Sequence, residues 1–201
     1  SVTTSAEDIA HKSLVVNLSD IAAMGAKAKY FTLALSIPKI DKSWLQDFSD
    51  SLKHLSEQYE VSLVGGDTTR GPLNITITMI GIVERSKALT RSGARPGDGI
   101  YVSGTIGDAR FCFWKLSNDL VPSNQELKRL NCPTPRVELG LVLKNLASAC
   151  IDLSDGLEQD LSHILKASSV GAVIEVEKIP ISEALVDHIK DTNDWSIALC
   201  G

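Results

Sequence analysis

Apolar and polar residues recur along this chain in two periods, and the switches between them mark its elements. Thr4-Ser5-Ala6-Glu7 has the form of a capping box, with a hydroxyl at the cap and a carboxylate three residues on, and Asp8 adds acid to the first turn. The helix that begins there is expected to run through 13–24 and to stop at Gly25, which takes the left-handed cap conformation freely. FTLALSIP (31–38) reads as a buried strand ended by Pro38. Behind Asp41 as cap, Trp44, Phe48, Leu52, Leu55 and Tyr59 recur at steps of three and four, the core-facing stripe of a second helix. Val61–Val64 reads as a short strand that opens into a glycine loop, GGDTTRG (65–71). Leu73, Ile75, Ile77 and Met79 then alternate with Asn74, Thr76 and Thr78, a strand with one covered face and one face that needs a partner.

Pro96-Gly97-Asp98-Gly99 is the strongest punctuation in the chain, and it sets the expected domain boundary: 1–98 as one domain and 99–201 as the next. The second domain is expected to open on a strand over 100–104. A polar stretch from Lys115 to Pro135 follows, with a short helix near 126–130. Next come a helix over 136–149, the loop IDLSDGL (151–157), a helix over 158–168 and a strand over 172–176.

Composition narrows the picture. At 201 residues, 43% hydrophobic and 22% charged, the chain can bury a real core, as one large domain or two small ones, and is not disordered. No apolar run approaches the ~18 residues of a membrane helix. A net charge of −5 argues against a sequence-independent grip on nucleic acid or on an anionic membrane surface. Cys112, Cys132, Cys150 and Cys200 have neither C-x-x-C spacing nor a histidine partner at metal-ligand spacing, so a reducing, cytoplasmic setting is expected.

Candidate chemistry rests on aspartates set among apolar or glycine-rich neighbours, where an unneutralised charge is costly. Asp20 shares a helix face with Asn17. Asp67 follows Gly65 and Gly66, whose missing Cβ atoms let backbone N–H groups approach an anion. Asp152 and Asp155 stand three residues apart before a helix. Singly, each has a plain structural explanation: a hydrogen-bonded helix-end acid, a turn, an Asp-Gly turn with a cap. Together, carboxylates without a His or Cys ligand set suit a hard, oxygen-loving ion such as Mg²⁺, which usually brings phosphate. Arg91 in TRSG (90–93), Arg70 and the backbone of GTIGDA (104–109) are candidate anion partners, although either arginine also reads as a solvated surface charge. There is no Walker A motif, no G-x-S-x-G and no H-E-x-x-H. His11, His54, His163 and His188 fall on predicted helices without partners and read as packing or surface residues.

NLSDIAAMGA (17–26), GGDTTRGPL (65–73), ALTRSGARPGD (88–98), YVSGTIGDA (101–109) and IDLSDGLEQDLSHI (151–164) resemble, in order and spacing, the signature blocks of the thiamine-monophosphate kinase family. That family lies within the superfamily of aminoimidazole ribonucleotide synthetase. The resemblance implies a two-domain α/β (α+β) fold like that synthetase, with N-terminal sheets pairing across a homodimer. It implies phosphoryl transfer from ATP to thiamine monophosphate, with Asp20, Asp67, Asp152 and Asp155 on Mg²⁺ and with Gly66, Asp67, Arg91 and Ser154 on ATP. No residue is implied as general base, because a phosphate monoester with a second pKa near ~6 is already largely an oxyanion at neutral pH. The family pattern also has an earlier D-D-x-A block and a later G-G-E-D-Y-E-L block, so the chain is expected to be the middle of such an enzyme. FCFW (111–114) is bulkier than the small residues usual after G-D-A. Two other readings remain open: another ATP-dependent member of the superfamily, such as aminoimidazole ribonucleotide synthetase, or a non-catalytic, dimerising nucleotide-binding fragment.

Overall fold

The structure is a computed structural model that describes residues 4–200. The chain forms two compact units, one comprising the chain to Ala88 together with Asn131–Asn145, the other Leu89–Leu130 together with Leu146 onward. The expected boundary at 98 followed the Pro-Gly punctuation. That turn lies inside the second unit, where Asp98 Oδ2 accepts from the N–H of Arg95 at 2.9 Å and from Ser148 Oγ at 2.6 Å.

The first unit opens with α1 (Ala6–Ala23), whose cap is Ser5, one residue later than the capping-box reading. Its side chain accepts the N–H of Asp8. β1 (Lys27–Ile37) and α2 (Lys42–Gln58) follow, α2 capped by Asp41 as expected, then β2 (Ser62–Arg70) and β3 (Asn74–Ile82). The sheet order is β2-β1-β3; β1 and β2 are parallel and joined through α2, and β3 runs antiparallel on the other side of β1. The α2 stripe is core as its spacing predicts. Phe48, Leu52 and Leu55 are buried with Ala10, Leu14, Val15 and Leu18 of α1 and Phe31 of β1, and Trp44 stacks on Phe48 at 5.0 Å.

GGDTTRG corrects the sequence reading. It is strand almost throughout, because β1 supplies a parallel ladder in which Thr32, Leu33 and Ala34 pair with Gly65, Gly66 and Asp67. The register slips between Phe31 and Thr32, where the pairing steps from Leu63 to Gly65 and leaves Val64 as an extra residue. A short helix, α5 (Val137–Leu143), replaces the longer one expected over 136–149 and packs on α1, with Gly140 against the backbone of Ala22. The segment before it is tied to α1 by His11 Nε2 with the Pro133 carbonyl and by Cys132 Sγ donating to Asp8 Oδ1, both at 3.1 Å.

The second unit holds α3 (Asp108–Ser117), most of α4 (Asn124–Asn131), α6 (Leu157–Ser168), α7 (Glu183–Thr192) and the short α8 (Ser196–Leu199). Phe111, Leu185, Ile189, Ile197 and Ala198 form its core, and Phe111 and Trp114 stack at 5.8 Å. The bulk of 111–114 is therefore spent mainly on internal packing, although Phe113 is exposed. The expected strands over 100–104 and 172–176 form no ladder. Among the described residues β pairing is confined to the first unit's sheet, since an extended segment needs a neighbour for its N–H and C=O groups. Tyr101 and Val173 on these stretches are 92% and 89% exposed. Both stretches line an open cavity of about 710 Å³, with Leu157, Leu161 and Ile164 of α6 on its wall.

Candidate functional site

In the first unit the sheet and α1 carry three of the candidate residues. Asp67 projects from the edge strand β2, paired across the ladder with Ala34, and its Oδ1 accepts the N–H of Thr68 at 2.8 Å. Gly66 before it has φ 150°, and a Cβ there would lie 2.8 Å from the carbonyl carbon of Leu33 and 2.9 Å from its nitrogen. Only glycine lets β2 lie this close to β1, and that approach sets where Asp67 stands. Asp20 lies in the last turn of α1, where its carbonyl accepts the N–H of Met24 at 3.2 Å, and its side chain is open to solvent.

In the second unit the remaining candidates stem from two segments that the backbone ties together. The N–H of Cys150 donates to the carbonyl of Thr90 at 3.0 Å, joining the TRSG turn to the start of IDLSDGL. Ser168, at the end of α6, holds the same turn: its Oγ accepts the N–H groups of Gly93 and Ala94 at 3.2 Å and donates to the carbonyl of Arg91 at 3.3 Å. Arg91, Asp152, Ser154 and Asp155 thus leave one framework of turn, loop and helix. Arg91, Ser154 and Asp155 are exposed and Asp152 is half-buried; Asp155 Oδ2 accepts from Gln159 Nε2 at 3.2 Å.

This exposure corrects one premise of the sequence argument. Asp20, Asp67 and Asp155 face solvent, so desolvation does not single them out. The buried acids are Asp108, Glu126 and Asp160, none of which the sequence reading proposed as a ligand. Asp108 sits at the N-terminus of α3, behind Gly107, and its Oδ2 accepts from Thr105 Oγ1 at 2.6 Å and Arg129 Nε at 3.1 Å. Arg129 Nη2 also donates to the carbonyl of Thr105, so GTIGDA is knotted by its own ion pair. Among the described residues Asp108 Oδ1 has no hydrogen-bond partner. Glu126 pairs with Lys115 and accepts the N–H of Ser123 at 2.7 Å, while Ser123 Oγ accepts the N–H of Glu126, a reciprocal capping box on α4. Asp160 Oδ2 accepts the N–H groups of Ser154 at 2.8 Å and Asp155 at 3.0 Å. Its sequence signal was present, an acid one turn into a helix whose cap is a glycine, but acids are common in first turns and the signal is weak.

Among the described residues no three His, Cys, Asp or Glu side chains gather closely enough to hold a metal by themselves. The donors available within each unit are carboxylate oxygens, and that chemistry fits Mg²⁺. This ion is usually held by one or two carboxylates, with substrate phosphates and water completing the shell. Three of the histidines behave as the pattern predicts: His188 packs against Phe111 and Trp114, and His54 and His163 are exposed. His11 departs from it, since its Nε2 lies 3.1 Å from the Pro133 carbonyl.

Residues 1–83 match the family described as AIR synthase related protein, N-terminal domain. The chain is 48% identical over 199 residues to the thiamine-monophosphate kinase of Salmonella typhimurium, a match covering 96% of this chain and 61% of that protein. The crystal structure of thiamine-monophosphate kinase from Stenotrophomonas maltophilia superposes with a TM-score of 0.95 at 42% identity, over 100% of this chain and 66% of that one. AaThiL complexed with AMPPCP and TMP superposes at 0.90 with 29% identity, over 99% of this chain and 66% of that one. The chain therefore spans about 61% of the length of the curated relatives it matches.

Proposed function

We propose, on the premise that this chain is homologous along nearly its whole length to the thiamine-monophosphate kinases and belongs with that family, that it is the part of such an enzyme carrying its ATP and metal ligands. The reaction is ATP-dependent phosphorylation of thiamine monophosphate to thiamine diphosphate. The observation that carries the reading is the 48% identity over 96% of the chain. Support comes from the AaThiL structure, in which a protein of the same fold is complexed with AMPPCP and TMP.

The obstacle in this transfer is repulsion between two phosphate anions, not weakness of the nucleophile. Positioning and charge neutralisation supply nearly all the catalysis. Asp20, Asp67, Asp152 and Asp155 would hold Mg²⁺, which supplies neutralisation of the phosphate oxygens when bound. Arg91 binds nucleotide phosphate by charge-assisted hydrogen bonds, and Gly66, Asp67 and Ser154 contact the nucleotide. The chain needs no proton acceptor, because the acceptor phosphate is already ionised.

In this reading the first unit, which carries Asp20, Gly66 and Asp67, is the dimerising part of the nucleotide site, and the second unit, which begins at Leu89 rather than at 99, belongs to the second domain. Dimerisation is supported by the sheet of the first unit. Tyr30 and Ile80, paired across β1 and β3, and Ile82 two residues on, are 45%, 47% and 57% exposed, an apolar surface that a second sheet would cover. No helix among the described residues is long and apolar enough to cross a membrane, and a cytoplasmic location agrees with the biosynthetic role.

The test is ADP formation by the full-length protein with Mg²⁺, ATP and thiamine monophosphate. Asp67→Asn is expected to lower turnover by at least ~10-fold with the fold intact, since Asp67 is exposed and its oxygen on Thr68 is replaceable by an amide. Turnover with formylglycinamidine ribonucleotide and none with thiamine monophosphate would overturn the reading in favour of the synthetase.

A further inference from the structure

The loop that leads into α6 is held from inside the helix. Its cap residue, Gly156, has no side chain to accept the orphan N–H groups of the first turn. Asp160, one turn into the helix, serves the two residues before that cap instead. Asp160 donates its own N–H to the Gly156 carbonyl at 3.0 Å and turns its carboxylate back, so that Oδ2 receives the N–H groups of Ser154 at 2.8 Å and Asp155 at 3.0 Å. The residue is 3% exposed.

Burying a carboxylate is costly unless it is well hydrogen-bonded, and helix stability alone has a cheaper solution: a Ser or Asp at the cap position, in solvent. The buried arrangement adds control of the loop. Two successive N–H groups converging on one oxygen fix both peptide planes that flank the Cα of Ser154. They thereby set the direction in which the Ser154 side chain leaves, and the orientation from which Asp155 departs. Both bonds are charge-assisted and shielded from water, which makes the restraint strong.

We propose that Asp160 is a positioning residue for the metal and nucleotide ligands of the 152–155 loop. It acts through the backbone of Ser154 and Asp155 and does not itself touch metal or ATP. The inference rests on the reading of Asp152, Ser154 and Asp155 given under the proposed function. Groups that orient ligands from behind typically change metal affinity or activity by roughly 10- to 100-fold when removed.

The experiment compares the wild-type full-length protein with Asp160→Ala and Asp160→Asn. Three quantities are read: the Mg²⁺ concentration for half-maximal ADP formation, the KM for thiamine monophosphate, and amide hydrogen exchange at residues 154–155 without metal. Asp160→Ala should raise the Mg²⁺ half-saturation by ~10-fold or more, with the thiamine monophosphate KM within about twofold of wild type. Exchange at both amides should accelerate at least ~10-fold, because both lose their buried acceptor. Asp160→Asn keeps an acceptor oxygen but loses the charge that roughly doubles the bond strength, so its Mg²⁺ half-saturation should rise only ~3-fold. If the alanine variant does not fold, the asparagine variant carries the test. Unchanged Mg²⁺ half-saturation and exchange in a folded variant, or unprotected amides at 154–155 in the wild type, would overturn the positioning role. Absence of Mg²⁺-dependent transfer by the wild type, with 154–155 protected and released by Asp160→Ala, would instead overturn the kinase reading.

Discussion

Two adjacent glycines on β2 should respond very differently to the same substitution. At Gly66 a methyl group would stand 2.8 and 2.9 Å from the carbonyl carbon and nitrogen of Leu33, and closer still to its oxygen, where ordinary contact begins at 3.4 Å. All three are backbone atoms of β1, so no side chain can swing away and the strands themselves must part. Backbone strain for a non-glycine residue at φ 150° adds about 1–3 kcal/mol. Two ladder hydrogen bonds stretched by the separation forfeit about 0.5–1.5 kcal/mol each. The opposing gain, a less flexible unfolded chain, is only about 0.4–1 kcal/mol, so Gly66→Ala should destabilise by about 2–5 kcal/mol. Gly65 is the control. Its nearest neighbour would be Thr32 Cγ2 at 3.9 Å, so Gly65→Ala should remain within about 0.5 kcal/mol of wild type. Urea unfolding of the full-length protein reads both, with a midpoint for Gly66→Ala lower by ~1 M or more. Equal midpoints for the two variants would refute the claim that the close approach of β2 to β1 requires glycine at 66.

The second unit offers two further tests. Arg129→Ala should destabilise by about 2–3 kcal/mol, because it strands a carboxylate whose side chain is 8% exposed; adding Asp108→Asn should recover at least half, and strictly additive losses in a double-mutant cycle would refute the pairing. Burial pushes the Glu126 carboxyl up, but the Lys115 ammonium and the N–H and hydroxyl of Ser123 together outweigh it and hold the carboxyl below its usual range. A group with a depressed folded pKa stabilises the fold above its unfolded value and loses that contribution as pH falls through the folded value. Glu126→Gln should therefore lower stability by about 1–2 kcal/mol near neutral pH, with the gap in melting temperature closing as pH drops below 4.5; a gap independent of pH would refute the linkage.

Local signals made the helices of the first unit legible. Asp41 and the three-and-four spacing of Trp44, Phe48, Leu52 and Leu55 fix α2 without reference to the rest of the chain. What misled was punctuation. Gly65-Gly66 reads as a turn because glycine usually marks one, and nothing local reveals that β1 lies alongside to accept it as strand. Pro96-Gly97-Asp98-Gly99 is a real turn, but a turn ends an element, and only the hydrogen bonds to Arg95 and Ser148 show to which unit it is fastened. The return of Asn131–Asn145 to the first unit is equally invisible locally, since it depends on Gly140 meeting Ala22 and on Cys132 meeting Asp8. The strands expected at 100–104 and 172–176 fail for the complementary reason: their composition is strand-like, but no strand in the described residues pairs with them, and the carbonyls of Glu175 and Val176 accept the N–H groups of Lys178 and Ile179 in a tight turn instead.

The environment of the candidate acids was misjudged. Carboxylates without nitrogen or sulfur ligands pointed to a hard cation, and that ion stays part of the proposed function. The supporting argument from burial sorts the acids the other way. Asp108, Glu126 and Asp160 are buried, and each receives structural donors: an arginine, a lysine, or two backbone N–H groups. Asp20, Asp67 and Asp155 remain in water, where a charge can persist unpaired until a cation arrives. A metal ligand that must exchange ions and admit a nucleotide needs the second environment, because full desolvation would demand a permanent partner in the empty protein. The two classes meet at 154–160, where a buried acid that cannot reach solvent holds the backbone of an exposed one that can. In this chain burial therefore marks the acids that shape the loops, and the proposed ligands lie among the exposed and half-buried ones.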